Sequence, residues 1–184
     1  KGVDVGAGIL EIICPSTDSE KILRNVLFAS DKALADPTQM FTYTFFDQSM
    51  EKALRRRDII RDAISEIAFD DHTAMYMQYQ PVIDLNTGEI RYFEALARIR
   101  NQELGIVAPD EFIPIAEEIK LIVPVGLKIF YEVFSFLQRL SALGNDSVQI
   151  SINVSVIQLL RDEFNANLIR LMNEMNISPS RLMI

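Results

Sequence analysis

Met75-Tyr76-Met77-Gln78-Tyr79-Gln80-Pro81-Val82-Ile83-Asp84-Leu85 runs into Asn86-Thr87-Gly88 and returns as Glu89-Ile90-Arg91-Tyr92-Phe93-Glu94-Ala95-Leu96-Ala97-Arg98-Ile99-Arg100. The flanking runs alternate, and Gly88 can take the left-handed backbone that the intervening turn needs, so the stretch predicts a β-hairpin. With a three-residue loop, Leu85 pairs with Glu89. Counting back along one strand and forward along the other then sets Gln80 opposite Glu94 on the same face. Steps of two add Leu96 and Arg98 to that face. Phe93, Ala95, Ala97 and Ile99 form the other, suited to packing under helices. The Gln–Glu–Arg face has two readings: a solvated face with a diagonal Glu–Arg pair, or a site.

Beyond the hairpin, a helix starts over 110–118 and a longer one begins near Pro124. Leu127, Phe130, Val133, Phe134, Leu137 and Leu140 give the longer helix a core stripe, and Gly144 is a C-terminal stop. Val148, Ile150, Ile152 and Val154 alternate with Gln149, Ser151, Asn153 and Ser155, a strand that is half-exposed or lines a polar cavity. One helix over 157–175 follows, with Leu160, Phe164, Leu168, Leu171 and Met175 at helical spacing. Ser178-Pro179 breaks it, and Arg181 to Ile184 reads as a new strand with an open edge, which invites pairing with another copy. Strands alternating with helices predict an α/β sheet or barrel built on parallel strands.

Ahead of the hairpin the pattern differs. A strand over 3–13 is interrupted by Gly6 and Gly8, and Pro15 to Asp18 make a turn with Asp18 or Ser19 as helix cap. The helix over 20–34 repeats Ile22, Leu23, Val26, Leu27 and Ala33; Asp36-Pro37 ends it, and a short strand covers 40–46. These elements alone cannot close a core, so more chain is expected before Lys1. The Gly6-x-Gly8 pair lacks the third glycine of a dinucleotide fingerprint and reads as strand. A charged helix over 48–69 links the halves, seamed by Ile60, Ile64 and Ile67. Its Arg55-Arg56-Arg57 triplet reads as a solvated face balanced by Glu51, Asp58 and Asp62 rather than a nucleic-acid patch.

The chain has 184 residues, 49% of them hydrophobic, and carries Lys+Arg 18 against Asp+Glu 26 for a net charge of −8. That balance argues against nucleic-acid polymers and anionic membranes as partners, but leaves room for a local basic pocket that takes a small phosphate ligand. A lone cysteine, Cys14, excludes an internal disulfide and fits a reducing cytoplasm; a lone histidine, His72, excludes His-rich zinc sites. No apolar run reaches about 18 residues and the start lacks a signal-peptide pattern, so a cytoplasmic location is expected.

Tyr79-Gln80-Pro81-Val82-Ile83-Asp84-Leu85, Gly88 and Phe93-Glu94-Ala95-Leu96-Ala97-Arg98 resemble the opening of an EAL domain. The resemblance continues through Glu103-Leu104-Gly105, Pro109 to Glu118 and Ser151-Ile152-Asn153-Val154-Ser155. It implies a cyclic di-GMP phosphodiesterase on a TIM-like (β/α) barrel, using Mg²⁺ or Mn²⁺ to open cyclic di-GMP to linear pGpG. By resemblance Glu94 and Asn153 are metal ligands, while Gln80 and Arg98 hold the cyclic dinucleotide, Arg98 through phosphate. Carboxylate and amide oxygens suit hard cations, and guanidinium suits phosphate. Val5-Gly6-Ala7-Gly8-Ile9, Ala29 to Leu34 and Phe45-Phe46-Asp47 resemble the tail of an α+β GGDEF domain.

The expected division is therefore the C-terminal part of a GGDEF-like domain over 1–47, a helical linker over 48–69 and the N-terminal part of an EAL domain over 70–184. The second segment is shorter than the roughly 200–250 residues of a whole (β/α)₈ barrel. The GGDEF signature is absent, Lys and Arg are missing between Asp36 and Met50, and Ala35 stands where that family has Tyr. The cyclase half is thus expected to be degenerate, a nucleotide sensor with GTP as its candidate ligand or a spacer. In the EAL half, Lys120 stands where Gly is usual. The family's remaining acidic ligands and its catalytic Lys fall beyond Ile184, so no complete catalytic set and no turnover are expected of this chain alone. Family habit and the open edge suggest a homodimer. The alternative is a non-catalytic module that binds nucleotide or a partner protein.

Overall fold

A computed structural model of the chain describes residues 5–12, 18–35, 41–69 and 74–184. Cys14, His72, the turn over 15–17 and the Asp36-Pro37 helix stop lie outside the described residues. The chain divides into two compact units, Lys1–Asp58 and Ile59–Ile184.

In the first unit, strand β1 (Val5–Ile9) pairs in parallel with β2 (Phe41–Phe45), joined through helix α1 (Ser19–Leu34). Asp18 caps α1, its side chain accepting from Lys21 N at 2.9 Å. Gly6 and Gly8 belong to the strand and let α1 lie almost on its backbone. A Cβ on Gly8 would fall 2.0 Å from Val26 O, and one on Gly6 2.7 Å from Ser30 O. Ser30 Oγ donates to Gly6 O at 2.9 Å and Thr42 Oγ1 to Ala33 O at 2.6 Å. So close an approach admits only small side chains: Ala29 and Ala33 are buried, while Leu23 and Leu27 of the expected stripe face outward.

Helix α2 (Gln48–Phe69) follows, capped by Asp47, which accepts from Met50 N at 2.9 Å. That bond and a stronger one from Ser49 Oγ hold the Asp47 carboxyl below its ordinary pKa. Ile60, Ala63, Ile64 and Ile67 of α2 enter one core cluster with Met75, Ala97, Ile99 and Phe112.

The second unit is built on a five-stranded sheet. β3 (Met75–Ile83) and β4 (Ile90–Asn101) are antiparallel; β5 (Gly105–Val107) folds back on the end of β4; β6 (Ile150–Ile152) and β7 (Leu182–Met183) continue in parallel, giving the order β3-β4-β6-β7. Helices α3 (Pro109–Glu118) and α4 (Ile122–Ala142) lie between β5 and β6 in the chain. Phe130, Val133, Phe134 and Leu137 of α4 bury themselves against Ala95, Ile150 and Ile152, as their spacing predicts.

Two expectations need correction. Residues 157–175 form not one helix but α5 (Val156–Leu159) and α6 (Asp162–Glu174), separated where Arg161 is extended. Asn165 Nδ2 donates to Leu159 O across the break at 3.2 Å, and Leu160 is exposed. Nor is Arg181 a strand residue: it closes a 3₁₀ turn (Pro179–Arg181), and its buried guanidinium reaches the far end of α4. There it donates to Ser141 Oγ at 2.6 Å, Val148 O at 3.1 Å and Asn145 O at 3.1 Å.

Candidate functional site

The hairpin loop is one residue longer than the expected three, Leu85–Gly88 between Asp84 and Glu89, and the expected Gln80–Glu94 pairing still forms. Asp84 N donates to Glu89 O at 2.9 Å, and Ile83 rather than Leu85 is the last paired residue, opposite Ile90. A register shift between Val82 and Ile83 inserts Arg91 as an extra residue in β4, which brings Val82 opposite Tyr92 and Gln80 opposite Glu94. The Asp84 carboxylate accepts from Asn86 N at 2.8 Å and Thr87 N at 3.3 Å, bonds that lower its pKa, and Gly88 takes φ 74°.

On the core side of this hairpin, Tyr79 stacks on Phe136 with ring centroids 4.0 Å apart, and burial pushes its phenol pKa well up. Tyr79 is therefore a packing anchor that turns its neighbour Gln80 to the opposite face, where Gln80 is exposed.

On that opposite face the parallel register places Glu94 beside Ser151. Two residues further, just past the end of β6, Asn153 donates from Nδ2 to Glu94 Oε1 at 2.7 Å. Continuing the register sets Asn153 level with Leu96, between Glu94 and Arg98. Arg98 is half-buried and donates from Nη1 to Ala97 O at 2.9 Å. Among the described residues no ion pair joins it to Glu94, so the diagonal pair that would make this an ordinary solvated face does not form. Glu94 and Asn153 are thus in direct contact, Gln80 is in register across the hairpin, and Arg98 shares their face.

The turn after Asn153 is tied down by side chains that periodicity does not single out. Ser155 caps α5 in a reciprocal box with Gln158: Ile157 N donates to Ser155 Oγ at 3.2 Å, and Ser155 N to Gln158 Oε1 at 3.0 Å. The spacing Ser-x-x-Gln is a readable signal for such a box. Buried Gln158 also donates to Ile122 O at 3.0 Å, and fits only because Gly126 has no side chain; a Cβ there would sit 1.7 Å from Gln158 Nε2. Ser155 Oγ in turn donates to Glu117 Oε1 of α3. A cavity of about 540 Å³ opens here, lined by Phe130 and Ile152 as well as Glu117, Asn153 and Gln158. A separate groove of about 670 Å³ between α4 and α6 touches none of the four candidate residues.

Glu94 and Asn153 offer hard oxygen donors, the chemistry a divalent cation of the Mg²⁺ or Mn²⁺ kind takes. The described residues hold no cluster of three or more His, Cys, Asp or Glu, so these two supply only part of such a shell.

The second unit is thus an α/β domain with helices over the apolar face of its sheet and, on the other face, an acid–amide pair that shares that face with an arginine. The chain belongs to the EAL domain family, whose model matches residues 58–184. Among its relatives, the cyclic di-GMP phosphodiesterase PA2567 of Pseudomonas aeruginosa is 29% identical over 97% of this chain and 30% of its own length. The probable cyclic di-GMP phosphodiesterase PdeI of Escherichia coli is 35% identical over 60% of this chain and 14% of its own. The chain thus spans less than a third of either relative. The fold is similar to that of the PaMucR phosphodiesterase in complex with c-di-GMP, with TM-score 0.61, 22% identity and coverage of 67% of this chain and 49% of that one. The Xanthomonas citri FimX EAL domain in complex with c-di-GMP matches with TM-score 0.57 and 17% identity, over 74% and 50% of the two chains. Between α3 and α4, Lys120 stands at φ 61°, a left-handed backbone that glycine adopts most readily.

Proposed function

We propose that the protein carrying this chain is a cytoplasmic, metal-dependent phosphodiesterase that hydrolyses one phosphodiester of cyclic di-GMP to give linear pGpG. The observation that carries the reading is the 2.7 Å contact of Asn153 with Glu94, across strands joined in parallel register, on a face shared with Arg98, which has no acidic partner among the described residues. Glu94 and Asn153 hold the cation, Mg²⁺ or Mn²⁺, through the Glu94 carboxylate and the Asn153 Oδ1, the one amide atom with ligand capacity. The bound ion supplies charge neutralisation at the phosphodiester and lowers the pKa of attacking water. Arg98 presents guanidinium N–H groups to a non-bridging phosphate oxygen, holding the ester and offsetting its charge. Gln80, exposed opposite Glu94, offers a donor and an acceptor to the dinucleotide.

The first unit fits the tail of a degenerate GGDEF-like domain, with residues 1–47 assigned to it, 48–69 to a linker helix and 70–184 to the start of the EAL domain. GTP is its candidate ligand, and a homodimer the candidate assembly. A second reading is a non-catalytic module that binds nucleotide or a partner protein: among the described residues no group of three or more His, Cys, Asp or Glu gathers that could hold a metal ion.

The test is cleavage of cyclic di-GMP by the full-length protein with Mn²⁺ or Mg²⁺, following the linear product. Turnover that Glu94→Ala abolishes supports the enzyme. Binding without product supports the module. Wild-type turnover by Glu94→Ala would overturn the site assignment.

A further inference from the structure

We propose that Glu117 is a positioning residue for Asn153, acting through the hydroxyl of Ser155; the inference rests on the reading of Glu94 and Asn153 as cation ligands. β6 ends at Ile152, so the sheet ladder does not hold Asn153. The next fixed point is Ser155, two residues on. Its hydroxyl is used twice, accepting from Ile157 N at 3.2 Å and donating to Glu117 Oε1. Its backbone N–H is held by Gln158, whose amide is anchored to Ile122 O.

Glu117 stands in the last turn of α3, where the helix closes tightly. Leu121 N donates to Ala116 O at 2.8 Å and Lys120 N to Glu117 O at 3.1 Å. Gln158 is tied to the first turn of α4. The loop that carries Asn153 is therefore fastened to both sides of the α3–α4 junction, rather than to the strand that precedes it.

A capping serine needs no carboxylate to cap its helix. Here the carboxylate removes the remaining freedom of the Ser155 rotor, and with it the freedom of the short segment between Ile152 and α5. Groups behind a metal ligand that orient it are worth about 10–100-fold in metal affinity. The role is one of geometry: an acceptor oxygen of the right reach is what Ser155 requires, and a glutamine carbonyl supplies the same.

The experiment is a Mn²⁺ titration of the full-length protein followed by electron paramagnetic resonance, with amide hydrogen exchange over residues 153–158 of the metal-free protein. Glu117→Ala and Ser155→Ala are expected to raise the Mn²⁺ Kd about tenfold and to speed exchange at Ser155, while Glu117→Gln stays within about twofold of wild type. Thermal unfolding identifies any Glu117→Ala protein that fails to fold; Ser155→Ala, which removes one oxygen, then decides the matter. If Glu94→Ala weakens Mn²⁺ binding but Glu117→Ala and Ser155→Ala do not, the positioning role is overturned and the cation reading stands. If Glu117→Gln weakens binding as much as Glu117→Ala, charge rather than geometry matters and the proposal is overturned. If Glu94→Ala also leaves binding unchanged, the cation reading falls and takes this proposal with it.

Discussion

The two sheets obey the same layering rule and differ in what their second face carries. In the first unit, Gly6, Gly8 and Thr42 turn toward α1, and pairing by register leaves Val5, Ala7, Ile9, Phe41, Tyr43 and Phe45 together on the other face. Phe41, Tyr43 and Phe45 are each more than half exposed there. In the second unit, Ala95, Ala97, Ile99, Ile150 and Ile152 turn toward the helices, and the other face carries Gln80, Glu94, Arg98, Ser151 and Asn153. An apolar second face is a packing surface. A face on which an acid, an amide and an arginine converge costs desolvation to build, and makes sense where a ligand repays it. The comparison therefore separates substitutions that report on stability from those that report on function.

The largest effect is expected from the helix side of the second unit. Phe134 is fully buried and meets Phe130 edge-on at 5.7 Å. Phe134→Ala should cost about 3–5 kcal/mol, a large share of the roughly 5–15 kcal/mol that holds a domain together. Urea unfolding followed by circular dichroism measures it; a loss below about 1 kcal/mol would show that this side is not the core.

On the opposite face the signs should exchange. Arg98→Met keeps the stem and removes the guanidinium, so the unfolding midpoint should move by no more than about 0.5 kcal/mol. Cleavage of cyclic di-GMP by the full-length protein should fall about 10–100-fold in kcat/KM, the scale of one charge-assisted hydrogen-bonding group. A stability loss with unchanged cleavage would turn this face back into an ordinary solvated surface.

How far such faces could be read in advance depended on how local their causes are. The Gln80–Glu94 pairing is legible because alternation fixes the face; the count survives only because the extra residue Arg91 in β4 compensates for a loop one residue longer than three, Leu85–Gly88 between Asp84 and Glu89. The core stripe of α4 was legible for the same periodic reason. The break between α5 and α6 was not, since apolar spacing runs through it from Ile157 to Phe164. Its visible signs are the closed Ser155–Gln158 box and the acidic start Asp162-Glu163. β5 is only three residues long, too short for alternation to mark it. Arg181 was illegible because its partners, Ser141, Asn145 and Val148, are brought to it by the packing of α4. Glu117 and Ser155 lie far apart in the chain, so nothing local connects them.

Within the second unit, three helices end the same way with three different residues. Lys120, Gly144 and Asn176 each take a left-handed conformation, with φ 61°, 81° and 53°, and in each case the next residue's N–H reaches back to close the turn. Glycine takes this conformation freely, asparagine tolerates it, and lysine pays about 1–2 kcal/mol for it. Lys120→Gly relieves that strain but loosens the unfolded chain by about 0.4–1 kcal/mol. The net expectation is a gain of about 0.5–1 kcal/mol by urea unfolding, against a loss of similar size for Gly144→Ala. A destabilised Lys120→Gly protein would mean that the exposed lysine side chain does more than occupy the turn.

The smallest effect belongs to the apolar face of the first unit, and it is the sharpest check on the comparison. Tyr43 is 62% exposed, and its ring contact is an edge-on approach to Phe45 at 6.1 Å. Tyr43→Thr keeps a strand-favouring residue and removes an exposed ring, so unfolding of this chain should change by no more than about 0.5 kcal/mol. The same substitution should raise the protein concentration at which light scattering detects self-association, because an apolar patch on a two-stranded sheet is what other apolar surfaces pair with. Unchanged scattering with unchanged stability would mean that the ring contributes to neither. A cost above about 2 kcal/mol would show Tyr43 buried in solution, and the contrast between an uncovered packing face and a polar site face would no longer hold.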